Sequence, residues 1–261
     1  MNYFDDELKI IEKVQNLETE SVLLATSSDE EAEVFQSIYN SDKWKDWINS
    51  SGKSDPPPDF YNDRLGFMMD VMRIDDHAFV NKDGKIINPT NMRESKIQKE
   101  IKQSGILDVF PNVKSIMVNA ITDLPTNEDH NYSFYLNNFR RVVMQHNESI
   151  GLYRKNHPGY KTIFLVFDES SGYIESESLI NQHVIKGYPH YWFADQAFVE
   201  VIKRVSADFI FWFAPFKYYE LLSEQNFPEL PQACIFSLKN LSKLIAKPIK
   251  YEANLMRSAE K

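Results

Sequence analysis

The sequence predicts an α/β protein with a mixed, mostly buried central sheet flanked by helices. Three observations carry that expectation. Apolar runs of strand length recur at Leu65 to Ile74, Thr162 to Phe167 and Asp208 to Ala214, and such runs bounded by polar residues fit strands buried on both faces. Between them lie stretches with apolar residues three and four apart, as helices covering a sheet require. Finally, Ala78-Phe79-Val80 and Lys85-Ile86-Ile87 flank Asn81-Lys82-Asp83-Gly84, a hairpin signal that adds an antiparallel portion.

In chain order, Asp5 to Glu18 spaces Leu8, Ile11, Val14 and Leu17 as one helix face. Val22-Leu23-Leu24-Ala25 reads as a short strand or buried turn. Ser28 caps a second helix, with Asp29, Glu30 and Glu31 at its positive end. Lys43 to Asn49, with Trp44 and Trp47, reads as a third short helix, and Ser50 to Ser54 is the most linker-like stretch. Pro56-Pro57-Pro58 excludes a helix and delivers the chain extended to the Leu65–Ile74 strand.

Beyond the hairpin, Asn91 to Ser104 reads as a helix stopped by Gly105, and Val113 to Ile121 as a strand. Phe134 to Leu152 is a long helix with Phe139, Val142, Val143 and Ile150 on one face, ended by His157-Pro158-Gly159. After the Thr162–Phe167 strand, Phe193 to Val205 is a helix leading into the Asp208–Ala214 strand. Ala233 to Ser237 is the last strand and Leu238 to Ala246 the last helix. The expected organisation is a single α/β domain over 1–261, with a helical N-terminal part (1–50) and a sheet-containing core (56–261).

With 43% hydrophobic and 26% charged residues the chain has the composition of an ordinary globular protein. Its longest apolar run, Phe209 to Phe216, is too short to cross a bilayer, so no membrane partner is expected. The acidic start lacks the features of a signal peptide, and the one cysteine, Cys234, excludes an intrachain disulfide and a cysteine-rich zinc site. A cytoplasmic location is the resulting expectation. A net charge of −9 argues against constitutive, non-specific nucleic-acid binding. The acidity is concentrated in residues 1–76, where 18 acids face 7 bases. Later basic clusters, such as Arg93, Lys96, Lys99 and Lys102, permit a phosphate-bearing partner.

Several chemistries lack their motifs. There is no GxGxxG and no GxxxxGK[ST], so nucleotide and flavin loops are unsupported. GxSxG and HExxH are absent as well, removing the serine-hydrolase and zincin patterns. What remains is Pro58-Asp59, followed after ten residues by Asp70-Val71-Met72. This pattern resembles the PD-(D/E)xK nuclease superfamily over roughly residues 29 to 170. The resemblance implies a restriction-endonuclease-like core of helix, three strands, helix and strand. It also implies a metal site for Mg2+ or Mn2+ built from Asp59, Asp70 and, on the preceding helix, Glu33. A hard cation held by carboxylates activates water and neutralises phosphate charge. The family's lysine position is Met72, so the fixed positive charge has to come from elsewhere, with Lys96 and Lys99 the candidates. Two readings follow: a metal-dependent nuclease acting on nucleic acid, or a non-catalytic protein of the same shape whose acidic surface contacts a protein partner.

Four other groups carry chemistry. Asp75-Asp76-His77 reads as a strand-end turn, since consecutive strand residues alternate sides. His146 sits on the apolar face of the long helix and reads as a satisfied core histidine. Asp168-Glu169 directly follows a strand, where α/β folds place ligand sites, and a cap or turn explains it equally. Tyr188 to Phe193 is aromatic enough for base stacking, with core packing as its default role.

Overall fold

The apolar run ending at Ile74 forms an eight-residue strand inside a seven-stranded mixed sheet. The computed structural model describes residues 6–18, 21–25, 28–50, 58–77, 79–80, 83, 85–109, 116, 118, 130–177, 187–217 and 230–259. The N-terminal elements are α1 (Asp6–Val14), β1 (Val22–Ala25), α2 (Asp29–Tyr39), α3 (Ser41–Trp44), β2 (Ile48–Asn49), β3 (Phe60–Asn62) and β4 (Phe67–Ile74). A hairpin of β5 (Phe79–Val80) and β6 (Ile86–Ile87) leads to α4 (Pro89–Gln103), α5 (Ile106–Val109) and the long α6 (Tyr132–Asn156). The remainder comprises β7 (Lys161–Asp168), β8 (Tyr173–Ser176), β9 (Gly187–Pro189), α7 (Gln196–Ile202), β10 (Phe209–Phe213), β11 (Ala233–Ser237), α8 (Leu241–Leu244) and β12 (Met256–Ser258).

The sheet order is β1-β11-β10-β7-β4-β3-β2. The central strands β4, β7 and β10 run parallel, whereas β2, β3 and β4 form an antiparallel meander. Gly66, at φ 67°, makes the turn between β3 and β4 that a side chain would disfavour. Strand alternation then sorts the core into two layers. Phe67, Met69 and Val71 pack with Ile10, Ile11 and Val14 of α1 and Val34, Phe35 and Ile38 of α2. Met72 and Ile74 face the other way, onto Tyr135, Phe139, Val142 and Val143 of α6. There Phe139 stacks on Trp212 at 4.6 Å, and Trp192 lies against Trp212 at 4.6 Å. Each such buried aromatic contributes roughly 1.5–3 kcal/mol.

Lys43 to Asn49 departs from the helix expected there. Only Ser41–Trp44 is helical, and Ile48 and Asn49 pair antiparallel with Tyr61 and Phe60. The edge of the sheet captures this segment against its local pattern. Most of the strand expected over 113–121 and most of the Ser50–Ser54 linker lie outside the described residues. A second sheet, β12-β8-β9, was not anticipated, because its strands are three or four residues long and weakly patterned.

Candidate functional site

Asp59 precedes β3 by one residue and Asp70 lies within β4. Phe60 pairs with Met69, so the antiparallel register sets Asp59 opposite Asp70 on one face of the sheet. The Asp59 carboxyl accepts the Val71 N–H at 2.8 Å and lies within hydrogen-bonding reach of the Asp70 carboxyl. Asp70 is only 2% exposed. Its Oδ2 meets His146 Nδ1 at 2.6 Å and accepts from the Tyr153 hydroxyl at 3.2 Å. Those two side chains come from α6, seven positions apart and therefore on one helix face.

Burial, and then the neighbouring Asp70 charge, push the Asp59 carboxyl up to about 8, against the Val71 N–H that favours its ionised form. At neutral pH Asp59 holds a proton beside Asp70, as two close carboxylates in a poorly solvated place must. Burial and the same Asp70 charge raise the Tyr153 hydroxyl above its ordinary range. The pair offers hard oxygen donors of the kind Mg2+ and Mn2+ take. His146, with 29% of its side chain exposed, links the pair to solvent and is no core residue.

The other expected site residues lie elsewhere. Glu33 sits on α2, the helix that covers the opposite face of β4, and pairs with Arg64 at 3.5 Å. Lys96 and Lys99 are exposed on α4. That helix is anchored by buried Glu94 to Arg73 at 3.4 Å, and Arg73 leaves β4 on the face opposite Asp70. The structure therefore brings together Asp59 and Asp70 of the expected set, and supplies His146 as the basic group in contact with Asp70.

A second polar assembly occupies the carboxyl ends of the parallel strands, where sheets of this type bind ligands. Asp168 ends β7 and is fully buried. It accepts from the Tyr135 hydroxyl at 2.5 Å and the Trp212 indole at 2.9 Å, and Lys217 Nζ lies 3.4 Å away. Lys217 also donates to Ser170 Oγ at 2.5 Å and to the Ser171 carbonyl at 3.2 Å. Burial lowers the Lys217 ammonium from its ordinary range, and the Asp168 charge opposes that shift. Glu169 turns outward to pair with Arg73. Beside this group, Asp76 approaches His130 Nδ1 at 3.1 Å and His77 Nε2 at 4.0 Å.

His130, Tyr135, Ser170, Ser171, Tyr173 and Lys217 escaped the sequence reading. Position just past a buried strand was the available signal for Lys217, as it was for Asp168. Within the Tyr188–Phe193 stretch Trp192 is buried and His190 Nε2 is held by Asp195 at 2.7 Å, whereas Tyr188 is exposed. Comparison with known protein families, with characterised proteins and with solved structures returns no match for this chain.

Proposed function

We propose that this chain is a divalent-metal-dependent phosphodiesterase of the PD-(D/E)xK kind, acting on nucleic acid. The observation that carries the reading is the facing pair Asp59, one residue before β3, and Asp70, within β4, with the acid of Pro-Asp opposite the acid of the following strand. Supporting it, the strand run β2-β3-β4 is antiparallel and β7, reached through α6, adds parallel to β4. The resemblance implies three strands, a helix and a strand in that order, and these elements support it with the β5–β6 hairpin, α4 and α5 intervening.

Asp59 and Asp70 are the residues that would hold the Mg2+ or Mn2+ ion. Their donor set fits it, since two facing carboxyl groups present hard oxygen donors to one place. When bound, such an ion supplies positive charge at the phosphate and an acidified water. The chain's own residues supply placement. The Val71 N–H fixes the Asp59 carboxyl, while Tyr153 and His146 fix Asp70. Met72 brings no charge to the site. His146 takes the place of the missing lysine, as a partly exposed base in contact with Asp70 that can pass a proton to solvent.

A non-catalytic role toward a protein partner is favoured by one observation, the burial of Met72 at the lysine position. Cleavage assays separate the readings. Single-stranded DNA, duplex DNA and RNA are incubated with the native chain, Asp70→Asn and His146→Ala in Mg2+ or Mn2+. The expected result is cleavage by the native chain that falls by about a hundredfold or more in Asp70→Asn and less in His146→Ala. No cleavage of any substrate with either ion, or equal cleavage by Asp70→Asn, overturns the nuclease reading.

A further inference from the structure

We infer that Asp76, His77 and His130 form a second, separate metal site, one that takes a first-row transition ion of the zinc class. The residues stand at the carboxyl end of β4. Their donor atoms, one carboxylate oxygen and two imidazole nitrogens, all lie within 4.8 Å of one another.

The arrangement around Asp76 argues for more than proximity. Its side chain is fully buried, and its two oxygens have different tasks. Oδ2 is saturated from the protein: it accepts the Tyr173 hydroxyl at 2.6 Å, the Ser171 hydroxyl at 3.1 Å and the Ser171 N–H at 3.3 Å. Oδ1 is turned to the two histidines, at 3.1 Å from His130 Nδ1 and 4.0 Å from His77 Nε2. A carboxylate whose far oxygen is locked by hydroxyls and whose near oxygen meets imidazoles is how proteins orient a metal-ligating acid. Ligand atoms around a tetrahedral zinc sit roughly 3.4 Å apart for bonds of about 2.1 Å. The Asp76 contacts, at 3.1 and 4.0 Å, straddle that spacing.

The two imidazole rings meet edge to face at 4.6 Å. His77 precedes the β5–β6 hairpin, and its main-chain N–H is held by Asp75 Oδ1 at 3.3 Å. Asp75 is itself gripped by Asn88 at 2.7 Å. The side chains are graded in access, from 0% for Asp76 to 9% for His130 and 22% for His77. Two nitrogens and one oxygen suit zinc better than magnesium, and three protein ligands leave a coordination position open toward the solvent side. The site is independent of the Asp59–Asp70 pair, whose all-carboxylate donors suit a harder ion.

The test uses the full chain stripped with chelator, with Zn2+ alone followed by calorimetry and Co2+ alone by its visible absorption. The native chain is expected to bind one equivalent of zinc tightly and to give the intense cobalt bands of a low-coordinate site. His77→Ala, which alters the most exposed of the three ligands, is expected to weaken zinc binding by more than about a hundredfold. Tyr173→Phe, which removes only a donor to Oδ2, should weaken it by about ten- to a hundredfold, and Asp59→Asn should leave it unchanged. Thermal unfolding checks that each variant folds. Absence of zinc binding by the native chain, or native-like affinity in folded His77→Ala, overturns the assignment. Loss of the zinc site in Asp59→Asn overturns it too, by placing the ion at the carboxylate pair.

Discussion

Asp59→Asn isolates the proton held between the facing carboxylates. Asparagine keeps an oxygen for the Val71 N–H and offers an amide N–H to Asp70, so it imitates protonated Asp59 without titrating. In the native fold Asp59 is pushed up to about 8 from an ordinary 3.8. Across that window the folded chain retains a proton that the unfolded chain has released. Stability associated with this group is thus fully present below the ordinary carboxylate range and is lost as pH rises toward the folded value. One group in this state costs about 1.4 kcal/mol of stability per pH unit, or roughly 3 kcal/mol between about pH 5 and pH 7. A loss of that size is a large share of the roughly 5–15 kcal/mol by which proteins of this kind are stable. Urea unfolding of both chains at several pH values, without metal, measures the contribution of the Asp59–Asp70 pair. The native chain is expected to lose ground to Asp59→Asn steadily from acid to pH 8. Millimolar Mg2+ at neutral pH should restore the native chain and leave Asp59→Asn unmoved. Parallel pH profiles for the two proteins would show that the carboxylates do not share a proton and that their charges are not coupled.

Lys217→Met leaves the fully buried Asp168 carboxylate without its cation and should cost about 3–5 kcal/mol in urea unfolding. Adding Asp168→Asn in the same chain should recover part of that loss, because a neutral amide needs no counter-charge but has one acceptor oxygen where the carboxylate uses two. Gly187→Ala places a methyl group against the backbone carbonyl of Glu175, which cannot move aside while β8 and β9 stay paired. A loss of at least about 1–3 kcal/mol is expected, with amide exchange accelerated first in those two strands.

The strands that make the centre of the sheet were legible because burial on both faces leaves a nearly unbroken apolar run, as in Phe67–Ile74, Lys161–Asp168 and Phe209–Phe213. The same logic flagged Asp70, a lone acid in such a run, and a local motif tied Asp59 to it. Glu33 shows the limit of that reasoning. Its helix was correctly expected, but which face of the sheet the helix covers depends on chain crossing, and α2 covers the face that Asp70 does not use. Ile48 and Asn49 show the same limit at an edge, where a non-local partner strand outweighed local helical pattern.

The strand-end assembly was invisible for a related reason. Asp76 and His130 are 54 positions apart, and Asp168 and Lys217 are 49 apart, so no spacing rule joins them. Local pattern, through period and composition, determined which segments form strands and helices and which acids stand alone among apolar residues. Assembly determined which of those acids meet, because contact between distant residues is set by sheet order, register and the face each helix covers. Asp59 meets Asp70 through a hairpin register, whereas Asp76 meets His130 and Asp168 meets Lys217 only once the chain has crossed the sheet.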